Sequence, residues 1–191
     1  MQSIGTNLQN HLLSLIKPNG ASIETAKSEN TGQVGIVASL CIARRDQARV
    51  LSLKYQFEAV GNHFNIPPAL LAAIASRESH CGAILDKKGW GDNGNAFGLF
   101  QIDKRAHTIL GQQNPQGELH INQATGILAD FLAQIERKHP AWSEWQTLKG
   151  AVAAYNAGVK NIQTLDGMDI GTTHNDYSND IWARAQYFTA F

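Results

Sequence analysis

Cysteine is scarce: Cys41 and Cys81 are the only two in 191 residues. That excludes the dense disulfide framework of a small secreted domain, and no bridge between them is expected. Cys41, inside VASLCIA, reads as a small buried hydrophobe. Cys81 follows His80, but helical neighbours diverge by about 100°, so the two do not converge on one nucleophilic or metal site. Cys81 is therefore read as packing. Net charge is absent as well, with 16 basic and 16 acidic residues. Bulk electrostatics points to neither nucleic acid nor an anionic membrane as partner. Lys87, Lys88, Lys104 and Arg105 form the one local cluster of positive charge beside the segments of interest. No apolar run approaches the ~20 residues of a membrane-crossing helix. The opening MQSIGTNLQNHLLSLIKPNG has neither the basic start nor the continuous apolar core of a signal peptide. HExxH, paired CxxC, GxxxxGK[ST] and GxSxG are all missing, and no metal or cofactor is expected.

The chain is long enough to bury one substantial core, and with 43% hydrophobic and 17% charged residues it reads as globular. Residues 1–33 are polar and read as a partly ordered N-terminal arm with a short helix near 7–16. Residues 35–63 are helical in one or two pieces, with Val50, Leu53, Phe57 and Val60 on one face. Pro67 and Pro68 start a helix that runs to about His80, and Gly82 is its expected stop. The Gly- and Asn-rich GWGDNGNAFGLFQI predicts turns and a small hairpin or three-stranded sheet, with FGLFQI as a strand. Helices resume at 118–138, where Ile121, Thr125, Leu128, Leu132 and Ile135 mark one stripe, at 142–156, and from about 176 to 191. In the last of these Ile181, Trp182, Ala185 and Phe188 point inward. The fold class is mainly α with a small β insertion, as one domain over 1–191.

One acid is out of place in this pattern. Glu78, in SRESHCG, lies four residues after Ile74 and seven after Leu71, on the apolar stripe of its helix. An apolar setting disfavours the ionised carboxylate, and the helix C-terminus pushes the same way. A carboxylic acid that keeps its proton near neutral pH is what general acid catalysis requires. Cleaving a glycosidic bond needs a second group, a carboxylate that either activates water or attacks directly. Asp92 in GWGDNG and Asp103 in FQIDKR are the candidates, with Trp90, Phe97 and Phe100 lining or supporting a cleft. Taken singly, each acid also has a plain structural reading. Glu78 could pair with an arginine at a helix end, Asp92-Asn93-Gly94 is a turn signature, and Asp103 could cap KRAHTIL.

SRESHCG, GWGDNGNAFGLFQIDKRAH, AYNAG and MDIGTTHNDYSNDIWARAQ together resemble the goose-type lysozymes, traceably from about Ser22 to Phe191. The first three segments share features with the wider lytic transglycosylase group, whereas GWGDNGN and DIGTTHNDY are more specific. The resemblance implies a lysozyme-like α fold and hydrolysis, with inversion, of the β-1,4 bond between N-acetylmuramic acid and N-acetylglucosamine. It implies bacterial peptidoglycan and N-acetylglucosamine oligosaccharides as partners, antibacterial defence, an extracellular setting and a monomer. Glu78 matches the family's acid, and Asp92 and Asp103 match its two water-holding aspartates. Tyr155, Asn156 and His107 resemble sugar-site residues, with Gln101, Ile127, Phe131 and Tyr177 as further candidates. Avian members carry two disulfides near the N-terminus. Neither cysteine here falls at those positions, and Asn65 stands where the family has one, so a looser N-terminal arm is expected. The rivals are a lytic transglycosylase forming anhydro sugars, marked by loss of the aspartate pair, and a non-catalytic glycan-binding protein on the same scaffold.

Overall fold

The computed structural model describes residues 7–191; residues 1–6 of the N-terminal arm lie outside. Among the described residues the α-helices are α1 (Asn7–Ser14), α2 (Ile23–Ser28), α3 (Gly35–Ser52), α4 (Lys54–Phe64), α5 (Pro68–Ser79), α6 (Glu118–Lys138), α7 (Glu144–Ala157) and α8 (Tyr177–Phe188). Three two-residue strands, β1 (Trp90–Gly91), β2 (Ala96–Phe97) and β3 (Ile102–Asp103), form an antiparallel sheet between α5 and α6. The class is mainly α, as expected.

Helix α5 is the hub. Pro67 and Pro68 open it, and the Ala- and Leu-rich run that follows combines high helix propensity with small girth. α3, α4 and α8 pack around it. The expected picture of one apolar face needs correction, because every residue from Pro68 through Ser76 is buried. Burying Leu70, Leu71 and Ile74 contributes about 2 kcal/mol each before chain entropy is counted. The polar side of the helix is satisfied inside the protein. Ser76 Oγ donates to Asp46 Oδ2 of α3 at 2.6 Å and accepts from Arg184 Nη1 of α8 at 3.0 Å. Arg184 in turn pairs with Asp180, and all three are fully buried. A buried ion pair persists only when hydrogen bonds complete it, and this one is completed from three helices.

The expected stop at Gly82 also needs correction. α5 ends at Ser79, and the chain is already left-handed at His80 (φ 50°) and Cys81 (φ 52°), before Gly82 (φ 91°). That conformation is costly for non-glycine residues. It is offset by the His80 ring, which lies 3.1 Å from Asp46 and 3.3 Å from Glu29. Bonds to these two carboxylates push the imidazole up to about 9, so it acts as a cation.

α3 and α4 are two helices broken at Leu53, yet Val50, Leu53, Phe57 and Val60 are all buried as one face. Asn65 takes the left-handed C-cap of α4 (φ 54°), a role that asparagine tolerates. The N-terminal segment is fastened to α8 by hydrogen bonds. Trp182 Nε1 donates to the Leu13 carbonyl at 3.0 Å, and Gln186 Nε2 donates to Leu13 and Ile16 at 2.8 Å. Both cysteines are free; Cys81 is buried, while Cys41 is only half-buried, contrary to expectation.

FGLFQI is not one strand. It turns at Gly98 (φ 71°) and Gln101 (φ 48°), so only its ends pair, Phe97 with Ile102. Two turns thus fold a short segment back on itself, and Ala96 pairs with Gly91 on one side and Asp103 on the other. No helix among the described residues is long and apolar enough to cross a membrane.

Candidate active site

Glu78 is partly buried in the last turn of α5. The hydroxyl of Tyr177, the first residue of α8, donates to its Oε1. Burial pushes the Glu78 carboxyl up to about 7, against the opposing pull of the Tyr177 hydrogen bond and the charges of Arg77 and Arg184. Arg77 fails to hold Glu78 ionised because its guanidinium is committed elsewhere. It pairs with Asp180 Oδ2 at 2.5 Å and Asp176 Oδ1 at 2.9 Å, and lies 5.6 Å over the Tyr177 ring. Burial alone would raise Asp180, but Arg184 and Arg77 hold it low. Two carboxylates therefore absorb the positive charge nearest Glu78. The phenol of Tyr155, in α7, is raised by burial and by the Glu78 charge, and its hydroxyl donates to the Phe100 carbonyl at 3.0 Å.

Asp92 and Asp103 sit at the sheet. Asp92 opens the left-handed turn 92–94, with Asp92 at φ 44° and Asn93 at φ 54°. Asp103 ends β3. It is followed by turns, not the helix its capping role would need: Arg105 N–H donates to Asp103 Oδ1 at 2.7 Å. Arg105 Nη2 lies 2.5 Å from Asp103 Oδ2 and 3.6 Å from Asp92 Oδ2, which places one guanidinium between the two aspartates. The Arg105 bonds hold Asp103 down to about 2. The region thus carries one acid that keeps its proton near neutrality and one that stays ionised far below it. Such divergence is what a paired acid and base require.

A cavity of about 190 Å³ runs beside Asp103 and gathers most of the remaining candidates: Gln101, His107, Ile127, Phe131 and Tyr155 all line it. Ile127 and Phe131 are half-buried, with the core on one side and the cavity on the other. Neither Glu78 nor Asp92 lines this cavity. Asp92 borders a separate hollow of about 460 Å³ with Trp90, and Tyr155 links the cavity to Glu78. Phe97 and Phe100 are buried supports beneath the sheet, not lining. Asn156 is exposed and works on another loop, accepting the Thr173 N–H at 2.8 Å. Among the described residues no group of three or more His, Cys, Asp or Glu could hold a metal ion.

Gln101 shows how closely the turns are matched. A Cβ on Gly91 would lie 2.1 Å from Gln101 Oε1. The Gln101 amide also donates to the Gly98 carbonyl at 2.9 Å. Gly91 has φ −124°, open to any residue, so Gly91→Ala is expected to fold and to displace the Gln101 amide from the cavity wall. On the saccharide-binding role that the resemblance implies for Gln101, the expected result is a several-fold higher KM on chitooligosaccharides with kcat within about twofold, the signature of lost uniform binding. An unchanged KM would remove Gln101 from the substrate contacts.

Sequence reasoning missed His120. It is fully buried in α6, its Nε2 accepts the Phe100 N–H at 3.2 Å, and a Cβ on Gly98 would strike that atom at 2.4 Å. Burial lowers the imidazole to about 4, so it is neutral. Phe100 is thereby gripped at both ends, its N–H by His120 and its carbonyl by Tyr155. A histidine 20 residues from its backbone partner leaves no local spacing signal.

The sequence model of the Lysozyme g family matches residues 13–190. A lysozyme G of Dromaius novaehollandiae is 50% identical over 173 residues, covering 91% of this chain and 83% of that protein. A lysozyme g of Gallus gallus is 52% identical over 176 residues, covering 92% and 82%. A lysozyme g of the carp Cyprinus carpio is 43% identical over 173 residues, covering 91% and 92%.

Proposed function

Because the chain belongs to the lysozyme g family, a family of muramidases, we propose that it cleaves peptidoglycan with Glu78 as general acid and Asp92 and Asp103 as the water-holding pair. It is a glycoside hydrolase acting on the β-1,4 bond between N-acetylmuramic acid and N-acetylglucosamine. One observation carries the assignment of roles: burial raises Glu78 to about 7 while Arg105 holds Asp103 near 2, so between those values one group is an acid and the other a base.

The reaction follows from the two states. Glu78 delivers its proton to the glycosidic oxygen as the bond to the anomeric carbon breaks. Water held by the aspartates attacks that carbon from the opposite face and gives up its proton to a carboxylate, so the configuration inverts. Tyr177 keeps the Glu78 carboxyl aimed. The cavity lined by Gln101, His107, Ile127, Phe131 and Tyr155 offers apolar walls and a few polar groups, which suits sugar rings. The target polymer lies outside any cytoplasm, which supports action outside the cell that makes the enzyme and a role in antibacterial defence.

Product analysis tests the reaction class. Mass spectrometry of wall digests is expected to show hydrated reducing ends, and proton NMR of chitooligosaccharide cleavage is expected to show the α-anomer first. Anhydro-muramyl ends would instead establish a transglycosylase, and a β-anomer formed first would overturn inversion.

A further inference from the structure

Arg105 is not among the groups assigned above, yet it sits between two of them. Beyond the backbone bond already described, its Nε donates to Asp103 Oδ1 and Oδ2 at 2.9 and 3.0 Å, and its Nη2 to Oδ2 at 2.5 Å. The same Nη2 stands 3.6 Å from Asp92 Oδ2. The side chains are open to water: 63% exposed for Arg105, 54% for Asp92 and 36% for Asp103. An exposed ion pair of ordinary geometry contributes little. This one differs in form. The planar guanidinium engages both carboxylate oxygens of a residue only two positions away, so little chain freedom is lost in forming the pair.

We infer that Arg105 is a positioning residue for the reaction: it aims Asp103, keeps it ionised, and so sets the low-pH limit of lysis. The inference rests on the reading of Asp103 as a water-holding carboxylate. The groups around Asp103 agree with it. From its own turn come Arg105 and His107, and the charge of each lowers the carboxyl. From the 92–94 turn comes Asp92, itself within reach of Arg105. From α7 comes Tyr155, and from α6 only the apolar Ile127 and Phe131, across the shared cavity. Lys104 turns away, its Nζ 5.5 Å over the Trp90 ring. Burial works against the ionised Asp103, and the bonds from the Arg105 side chain and backbone N–H outweigh it.

The consequence has a defined sign. With Arg105 in place Asp103 stays ionised down to about 2. Without the guanidinium the carboxyl moves up toward the ordinary aspartate range near 4, held short of it by the backbone N–H of residue 105, and accepts a proton at higher pH than in the wild type. Arg105→Gln keeps the length of the side chain and removes its charge, and Arg105→Lys keeps the charge and removes the fork. The experiment records chitooligosaccharide cleavage from pH 2.5 to 9 for both variants, with circular dichroism at each pH. In parallel, carbon-13 NMR follows the Asp103 carboxyl. For Arg105→Gln the acid limb is expected to rise by about one to two pH units, with roughly a two- to tenfold loss near pH 3, while the alkaline limb set by Glu78 stays in place. Arg105→Lys is expected to fall between. If the NMR titration of Asp103 does not move in Arg105→Gln, the inference is wrong and the reading of Asp103 stands. If the NMR titration moves but the acid limb does not, Asp103 plays no part in the chemistry and both fail together. Both limbs shifting together would show a general structural effect, and the inference would be overturned.

Discussion

Glu78→Gln is expected to fold, to bind N-acetylglucosamine oligosaccharides as the wild type does, and to lose lysis of bacterial walls by about 10³-fold or more. The amide has the shape of the protonated acid and can still meet the Tyr177 hydroxyl, but it has no proton to give. General acid catalysis contributes about 10²–10⁴-fold where the leaving group needs that proton. The wild-type profile carries the same signature. With Glu78 raised to about 7, kcat/KM is expected to fall above that pH as the acid ionises. Lysis by Glu78→Gln near the wild-type rate would remove Glu78 from the acid's role.

The same substitution is expected to stabilise the protein at alkaline pH, because burial penalises the Glu78 charge whatever its part in the reaction. Below the ordinary glutamate pKa of 4.5 the group is protonated folded and unfolded, and it contributes no pH dependence. Between 4.5 and about 7 the unfolded chain releases its proton while the folded one keeps it, so wild-type stability declines as pH rises through that window. The loss is complete above about 7, and on the order of 1–3 kcal/mol is at stake. Glutamine has no such dependence. Thermal melts should therefore coincide near pH 4 and separate by pH 8, with Glu78→Gln the higher. Coincident melts at both values would show that burial does not penalise the Glu78 charge.

How much of this was readable without coordinates depends on the range of each interaction. The helical spacing of Leu71, Ile74 and Glu78 is local, and it placed a carboxylate at the end of an apolar stripe. The glycines and asparagines of GWGDNGNAFG announced turns because positive φ is a single-residue property. What stayed hidden is what comes from afar. Tyr177 was only a further candidate for sugar contact, yet it bonds Glu78 from 99 positions away. No local pattern marked Ser76 and Arg77 as interior, and only Asp46, Asp176, Asp180 and Arg184 on α3, α8 and the loop before α8 make that side of α5 an interior one. FGLFQI looked like a strand because phenylalanine and isoleucine favour one. Gly98 and Gln101 override that preference, and the turn they make carries Leu99 O to Ser79 Oγ at 2.8 Å, tying the hairpin to the end of α5. Arg105 was visible only as positive charge, since its placement between Asp92 and Asp103 depends on the sheet register.

The aspartate pair supplies the second large effect. Asp103→Asn and Asp92→Asn are each expected to lower kcat by roughly 10- to 100-fold, and the double variant by about 10³-fold or more, in the range of a lost general base. Sharing is what the geometry supports. Both carboxylates flank one guanidinium, and Gly91, the residue before Asp92, and Asp103 both pair with Ala96, so removing one carboxylate leaves the other in the same neighbourhood. The singles need not be equal. In Asp103→Asn the amide oxygen can still accept the Arg105 N–H, so the turn is kept, and Arg105 is released toward Asp92. The asymmetry comes from placement: Asp103 lines the cavity and Asp92 does not, so Asp103→Asn is expected to cost more than Asp92→Asn. In Asp92→Asn the Arg105 bonds to Asp103 persist, and the acid limb should remain where the wild type has it. Single-turnover rates on chitooligosaccharides across pH check both statements. Total loss from either single substitution would contradict a shared water site, and a double variant no slower than the worse single would assign the water to one aspartate alone.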